Sequence, residues 1–373
     1  MVLLSVLTVL GAICWWCVLM FPWRSWSTVE HIEARGYTVA GETLQDITVL
    51  IPARNEGLYI GRTLGGVKAQ SEHISIVVVD DQSSDDTAEQ AQQFNATVVP
   101  GTEPPAGWSG KLWALEQGLN EVKTPYVLLL DADIELTPGI VTELYRKARH
   151  ENLTLVSLMA QPPMENFIER LLMPAFIFFF KLLYPFGLIS KAESSIAGAA
   201  GGCILVETQA LRSAGAFACL HDALIDDCTL AAHIKRAGHR IYLGLSHGAR
   251  SHRGYQTLKP IWEMVARTAY TQLKYSPWLL AACTLIMIAM FWLAPFAYLL
   301  SPELALVSAL AWIAMFSAYL PTLTYYQRSP LWGFTLPVIG TLYLAMTWTS
   351  ARRYWRGERA SWKDRRYESK TTP

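Results

Sequence analysis

The stretch Val127-Leu128-Leu129-Leu130-Asp131-Ala132-Asp133 decides how this chain reads. Four apolar residues run directly into two aspartates one residue apart. An unbroken apolar run of this length is the pattern of a strand buried on both faces, as in the middle of a parallel sheet. The carboxyl end of such a strand opens on the ligand crevice of an α/β fold. Asp131 and Asp133 are therefore delivered to the place where ligands bind. Two hard oxygen donors at that spacing suit Mg2+ or Mn2+, and such a cation suits a diphosphate. A plainer role also fits, with Asp133 capping the turn before Thr137-Pro138.

Strands and helices alternate on both sides of this segment. Residues 47–52 read as a strand, and Arg54-Asn55-Glu56 opens a helix reaching about residue 70. Residues 74–79 form a second strand that ends in Asp80-Asp81, followed by a capping loop and a helix to about residue 94. Residues 97–100 are a short third strand. A Pro/Gly-rich loop then leads to a helix from Lys111. Residues 153–159 and 240–245 are further strands, the latter followed by His247, His252 and Arg253. A histidine there could donate to a diphosphate, although an ordinary loop role fits as well. Asp226-Asp227 opens a helix that Gly238 ends. Alternation of this kind implies parallel βαβ units with right-handed crossovers. Three acidic pairs result: Asp80-Asp81, Asp131 with Asp133, and Asp226-Asp227, with Lys111 between the first two. Each alone is a common helix start, favoured by the helix dipole.

The 373 residues carry 31 basic and 31 acidic side chains, a balance that gives no support for nucleic-acid binding. Apolar residues crowd the two ends. Residues 1–23 read as a transmembrane anchor, without the basic start or cleavage site of a signal peptide. Residues 278–300, 304–325 and 331–348 are candidate spans. Between them lie a soluble domain over 46–250 and an interfacial helix region over 251–276. Residues 167–189 are apolar but carry Arg170 and Lys181. They read as helices lying at the membrane surface with both cations reaching water, or as a buried core helix. Residues 350–373 form a basic tail, whose charge favours the inside. The domain should also be inside, so an even number of segments must cross between them. Residues 331–348, interrupted by Gly333, Pro337 and Gly340, are the expected exception. The membrane region 277–349 thus holds two or three spans. Six scattered cysteines read as reduced thiols, and Cys14-x-x-Cys17 lies inside an apolar helix with no second pair to complete a metal site.

Several of these pieces together resemble family 2 glycosyltransferases of the GT-A fold, an α/β Rossmann-like catalytic domain. They are Ile51-Pro52-Ala53-Arg54-Asn55-Glu56, the run from Val78-Val79-Asp80-Asp81 to Thr87, Ser109-Gly110-Lys111-Leu112-Trp113, Leu130-Asp131-Ala132-Asp133, Gly201-Gly202-Cys203 and Asp226-Asp227-Cys228-Thr229-Leu230. The flanking membrane segments resemble the ceramide-glucosyltransferase-like branch. The stretch from Trp262 to Pro277 is similar to hopene-associated glycosyltransferases.

The resemblance implies that Asp80 and Asp81 contact the base and ribose of a nucleotide sugar, a UDP-sugar above all. Pro52, Asn55 and Glu56 would shape that pocket, and Lys111 would lie near the nucleotide. It further implies that Asp133, helped by Asp131, holds Mg2+ or Mn2+ on the diphosphate, and that Asp227, with Asp226 beside it, is the general base. One departure stands out. The family's Q/R-x-x-R-W motif has only Arg267-Thr268-Ala269-Tyr270-Thr271 as a counterpart, which argues against a processive polysaccharide synthase. Arg267 and Lys274 become candidates for the diphosphate or for lipid headgroups. The implied protein is an inverting glycosyltransferase, multi-pass in the inner (cytoplasmic) membrane with its catalytic domain in the cytoplasm. It would move a sugar to a lipid hydroxyl, a hopanoid or related lipid. Polyprenyl phosphate, a ceramide-type acceptor, or a non-catalytic membrane scaffold are the alternatives.

Overall fold

The computed structural model describes residues 2–35, 44–221, 223–358, 361–362 and 365–366. In chain order the first elements are α1 (Val2–Met20), β1 (Ile47–Ala53), α2 (Ile60–Lys68), β2 (Ser75–Asp80), α3 (Thr87–Gln93), β3 (Thr97–Pro100), α4 (Gly110–Leu119), β4 (Tyr126–Leu130) and β5 (Ile134–Leu136). Then come α5 (Ile140–His150), β6 (Leu155–Gln161), α6 (Phe167–Leu183), α7 (Phe186–Ile189), β7 (Cys203–Glu207), α8 (Thr208–Ser213), α9 (Asp226–Arg236) and β8 (Ile241–Ser251). The last helices are α10 (Leu258–Gln272), α11 (Pro277–Ile288), α12 (Ala305–Tyr325) and α13 (Leu336–Trp355). These form two compact units. A sheet unit is built from Glu30–Pro163 and Leu188–Gly254. A helical unit is built from Met1–Val29, Met164–Gly187 and Tyr255–Glu358.

The sheet unit has eight strands in the order β3-β2-β1-β4-β7-β6-β8-β5. β1 pairs in parallel with β2 and β4, β2 with β3, and β6 with β8. Every residue of β1 is buried, as are Val127 to Leu130 of β4. That is why these strands carry continuous apolar runs rather than alternating ones. Helix α4 approaches β1 and β2 closely at Gly118. A Cβ there would stand 2.4 Å from Leu50 and 2.6 Å from Val79.

Three expectations change here. The sheet is mixed, because β7 runs antiparallel to both β4 and β6, and β5 runs antiparallel to β8. β5 is only three residues long, too short for a periodicity to register, and β7 follows directly on the Gly201-Gly202 turn, which reads as loop. Helix α2 begins at Ile60 rather than at Arg54, since Asn55 takes a positive φ of 52° that a helix cannot use. The soluble domain is also discontinuous: Met164–Gly187 packs with the helical unit instead of the sheet.

In the helical unit, Gly11 lets α1 meet the backbone of Ala289, where a Cβ would lie 2.2 Å from the carbonyl oxygen. Trp15 Nε1 donates to Met290 O at 2.8 Å beside it. Helix α6 starts with a capping box of Asn166 and Glu169. Lys181 does not reach water. It is 1 % exposed, and its ammonium donates to Trp26 O at 3.3 Å. Arg170 donates from Nε to Met164 O at 3.2 Å.

Four stretches are long and apolar enough to cross a membrane: Leu3–Met20, Phe167–Ile189, Pro302–Tyr325 and Pro330–Trp355. Helix α10 with Pro277–Leu293 qualifies only as a pair bent by 117°. Residues 331–348, expected not to cross, form a 3-10 turn (Pro330–Thr335) leading into α13 and lie within one of these four stretches. Pro337 sits in the first turn of α13, where its missing N–H costs nothing, and Gly340 packs against Phe291. Of the basic tail 350–373, residues 359–360, 363–364 and 367–373 lie outside the described residues; Arg352, Arg353 and Arg356 stand at the end of α13.

Candidate active site

All three acidic pairs lie in the sheet unit, on loops or helix starts next to strand ends. Asp80 closes β2, and its Oδ1 accepts a 3.3 Å bond from Ser83 N. Asp81 is 1 % exposed, 3.8 Å from Arg54 Nη1. The loop after β1 is stitched to the loop after β2. Asn55 N donates to Ser83 Oγ, Asn55 Oδ1 accepts from Ser84 N, and Glu56 N donates to Thr87 Oγ1, all within 3.0 Å. Left-handed backbone at Asn55 and Gln82 lets each loop turn sharply enough to be joined. Pro52 ends up buried at the wall of the crevice described next.

A narrow crevice of about 20 Å3 lies among Pro52, Lys111, Asp131, Gly201, Asp226 and Asp227. Lys111 enters it from the first turn of α4, whose start is capped by Ser109 Oγ accepting from Leu112 N at 3.2 Å. Its Nζ lies 2.6 Å from Asp131 Oδ1. Burial alone would lower the ammonium pKa. The Asp131, Asp226 and Asp227 carboxylates outweigh it and hold Lys111 charged above the usual lysine range. Burial and neighbouring Asp133 raise Asp131, against the pull of Lys111.

Asp227 is held from two sides. Oδ2 accepts from Gly201 N and Oδ1 from Cys228 N, each at 2.7 Å. Its position in the first turn of α9 suggested a carboxylate kept ionised by the helix dipole. Burial is the larger effect, with the Asp226 charge second, and together they push the pKa up to about 6. Such a carboxylate remains mostly ionised near neutrality and is a better proton acceptor than an ordinary aspartate. At the far end of α9, Gly238 takes a φ of 88° and stops the helix as expected.

Asp133 Oδ2 meets the guanidinium Nε of Arg253 at 2.9 Å. The same guanidinium places Nη2 2.6 and 2.7 Å from the two oxygens of Glu56. His252 donates its backbone N–H to Asp133 O at 2.9 Å, while its ring pairs with Glu135. His247 is tied to Glu33, with Nδ1 2.8 Å from Oε1. Arg267 and Lys274 belong to the helical unit, exposed on and just after α10.

A divalent cation fits the residues present. Among the described residues no group of three His, Cys, Asp or Glu side chains converges on a metal position. A Mg2+-type ion needs only one or two protein carboxylates when substrate phosphates supply the rest. Asp131 and Asp133 offer oxygens only, and each already holds a positive side chain, Lys111 and Arg253 respectively.

Two groups of consequence were not singled out from sequence. Gly201 lay within a quoted motif, but its N–H role depends on a fold-back across 26 residues. Arg253 stood out only as a basic residue after a strand, because the carboxylates it joins, Glu56 and Asp133, are 197 and 120 residues away in the chain.

An eight-stranded mixed sheet with acidic groups at its strand ends defines an α/β fold of the GT-A kind. Residues 48–214 match the Glycosyl transferase family 2 model, so the chain carries a family 2 glycosyltransferase domain. A 98-residue stretch is 39 % identical to 4,4'-diaponeurosporenoate glycosyltransferase from Staphylococcus haemolyticus (strain JCSC1435), covering 26 % of each chain. A 91-residue stretch is 36 % identical to the enzyme of the same name from Staphylococcus aureus (strain bovine RF122 / ET3-1), covering 24 % of each. The match thus spans about a quarter of the length of these curated relatives. In fold, the chain is similar to a mannosyltransferase from Pyrobaculum calidifontis solved with GDP-Man and Mn2+. The TM-score is 0.56 at 17 % identity, over 94 % of this chain and 99 % of that one.

Proposed function

We propose that this protein is a membrane-bound glycosyltransferase that moves a sugar from a nucleotide-sugar donor to a lipid acceptor. The observation that carries the reading is the crevice in which Asp227, Asp226, Lys111 and Asp131 converge. Asp80 and Asp81, on the stitched loops after β1 and β2, would hold the nucleoside. Pro52, Asn55 and Glu56 would shape that side. Asp133, with Asp131, would hold Mg2+ or Mn2+. When bound, the cation would neutralise charge on the departing diphosphate.

The remaining chemistry belongs to the side chains. Asp227 takes the proton of the acceptor hydroxyl as its oxygen attacks the anomeric carbon. The bond from that carbon to the phosphate oxygen breaks, and the nucleoside diphosphate leaves with the electron pair. One displacement of this kind inverts the anomeric centre. Gly201 N and Cys228 N hold the Asp227 carboxylate in place while it receives the proton. Lys111 keeps positive charge in the crevice as negative charge builds on the leaving group.

A lipid acceptor is supported by four helical stretches of spanning length and by relatives named for a lipid-like carboxylate. Within that class a hopanoid or related lipid is the reading from the α10 region. The relatives' names make an apolar carboxylate the second reading. Arg267 and Lys274 would meet lipid headgroups or the diphosphate. Binding of a panel of UDP- and GDP-sugars to the purified protein tests the donor half. Saturable binding of at least one donor, lost in Asp81→Ala, is expected. A folded protein that binds none of them contradicts the proposal.

A further inference from the structure

Arg253 lies two residues beyond the end of β8 and joins two carboxylates from separate loops. Nη2 contacts both oxygens of Glu56, which is 6 % exposed, and Nε contacts Asp133 Oδ2. The guanidinium also lies over the Tyr59 ring, 5.1 Å from its centroid. A planar guanidinium forked between carboxylates and set on an aromatic face is a specific arrangement that lysine cannot reproduce. The cation therefore sits on the oxygen assigned above to the divalent metal.

We propose that Arg253 is a resident counter-ion that holds Asp133 until metal and diphosphate arrive together, so that the two bind as a coupled pair. The proposal rests on the reading of Asp133 as a metal ligand. Its logic is one of charge. A divalent cation arriving alone must break the Nε–Oδ2 contact and settle beside a guanidinium. A diphosphate arriving alone faces five carboxylates, Asp131, Asp133, Asp226, Asp227 and Glu56, against two cations, Lys111 and Arg253, that are already paired with three of them. Arriving together, each screens the repulsion the other meets. The Glu56 contact uses Nη2 and the Asp133 contact uses Nε, so the second can break while the first persists. Arg253 is in this sense a positioning residue. It keeps Asp133 aimed in the absence of donor and makes metal affinity depend on the diphosphate. Such coupling is reciprocal, because each ligand changes the other's affinity by the same factor.

The test is Mn2+ binding to the full chain in detergent, read by equilibrium dialysis as the excess Mn2+ on the protein side, with and without pyrophosphate, so that Mn2+ held by free pyrophosphate, which equilibrates across, is not counted. Wild type is expected to bind Mn2+ weakly alone and roughly tenfold or more tightly with pyrophosphate, in line with one charge-assisted contact broken. The double variant Glu56→Gln/Arg253→Met keeps net charge and removes the buried carboxylate that Arg253 neutralises. It is expected to bind Mn2+ alone roughly tenfold more tightly than wild type and to lose most of the pyrophosphate effect. Arg253→Lys, which keeps the charge without the fork, should fall between the two and serves if the double variant does not fold. Asp133→Asn separates the two claims. Loss of Mn2+ binding in that variant, with unchanged affinity and coupling in the Arg253 variants, overturns the counter-ion role alone. Retained Mn2+ binding in Asp133→Asn overturns the metal reading itself.

Discussion

At the residue scale the account turns on Asp227. Its carboxyl is pushed up to about 6 by burial and then by the Asp226 charge. A base works deprotonated, so turnover is expected to fall about tenfold per pH unit below pH 6 and to level off above it. Removing the Asp226 charge with Asp226→Asn takes away the second cause. The acid limb should then move to lower pH, and a limb that stays or moves up would count against this origin of the shift. Asp227→Asn should lower turnover by roughly two to four orders of magnitude with donor affinity kept. Its amide can accept from only one of the two backbone N–H groups, so a thermal unfolding curve must accompany the assay. For Asp133, excess chelator should abolish turnover and added Mn2+ or Mg2+ should restore it. Full activity under chelator would remove the metal.

At the element scale, what sequence revealed and what it hid have separate physical causes. β1, β2 and β4 were legible because a strand buried on both faces has no polar side to interrupt its apolar run. Asp80, Asp81, Asp131 and Asp133 were legible because they end those runs, and Asp227 because acidic pairs mark helix starts. The antiparallel β5 was hidden by its shortness, and β7 by the Gly201-Gly202 turn that runs straight into it. The non-helical turn after β1 was hidden because its left-handed Asn55 is held by side chains of a distant loop. The seating of α4, which carries Lys111, depends on Gly118. Gly118→Val should overpack Leu50 and Val79, costing about 1–3 kcal/mol of stability by denaturant unfolding. A neutral result would mean that α4 lies further from the sheet.

At the scale of the whole molecule, chain connectivity limits how a membrane could be crossed. Phe167–Ile189 is long and apolar enough to span, yet β6 before it and β7 after it pair directly in one sheet. A segment that leaves and rejoins the same sheet enters and exits on one side. Cysteines placed at Glu165 and Lys191 are therefore expected to label alike with an impermeant reagent, and opposite labelling would break the sheet topology. The basic end of α13 and the tail beyond it should lie on the side of the sheet unit, as positive charge favours. A reporter fused after Pro373 that is active only outside the cell would contradict this. The central claim is that the crevice beside Asp227 glycosylates a lipid. The most direct measurement reconstitutes the protein in vesicles of extracted membrane lipids, adds labelled nucleotide sugar and divalent cation, and follows label into the lipid phase. The account predicts a labelled lipid with wild-type protein and next to none with folded Asp227→Asn. Label that stays in the aqueous phase, or equal lipid labelling by both proteins, would contradict it.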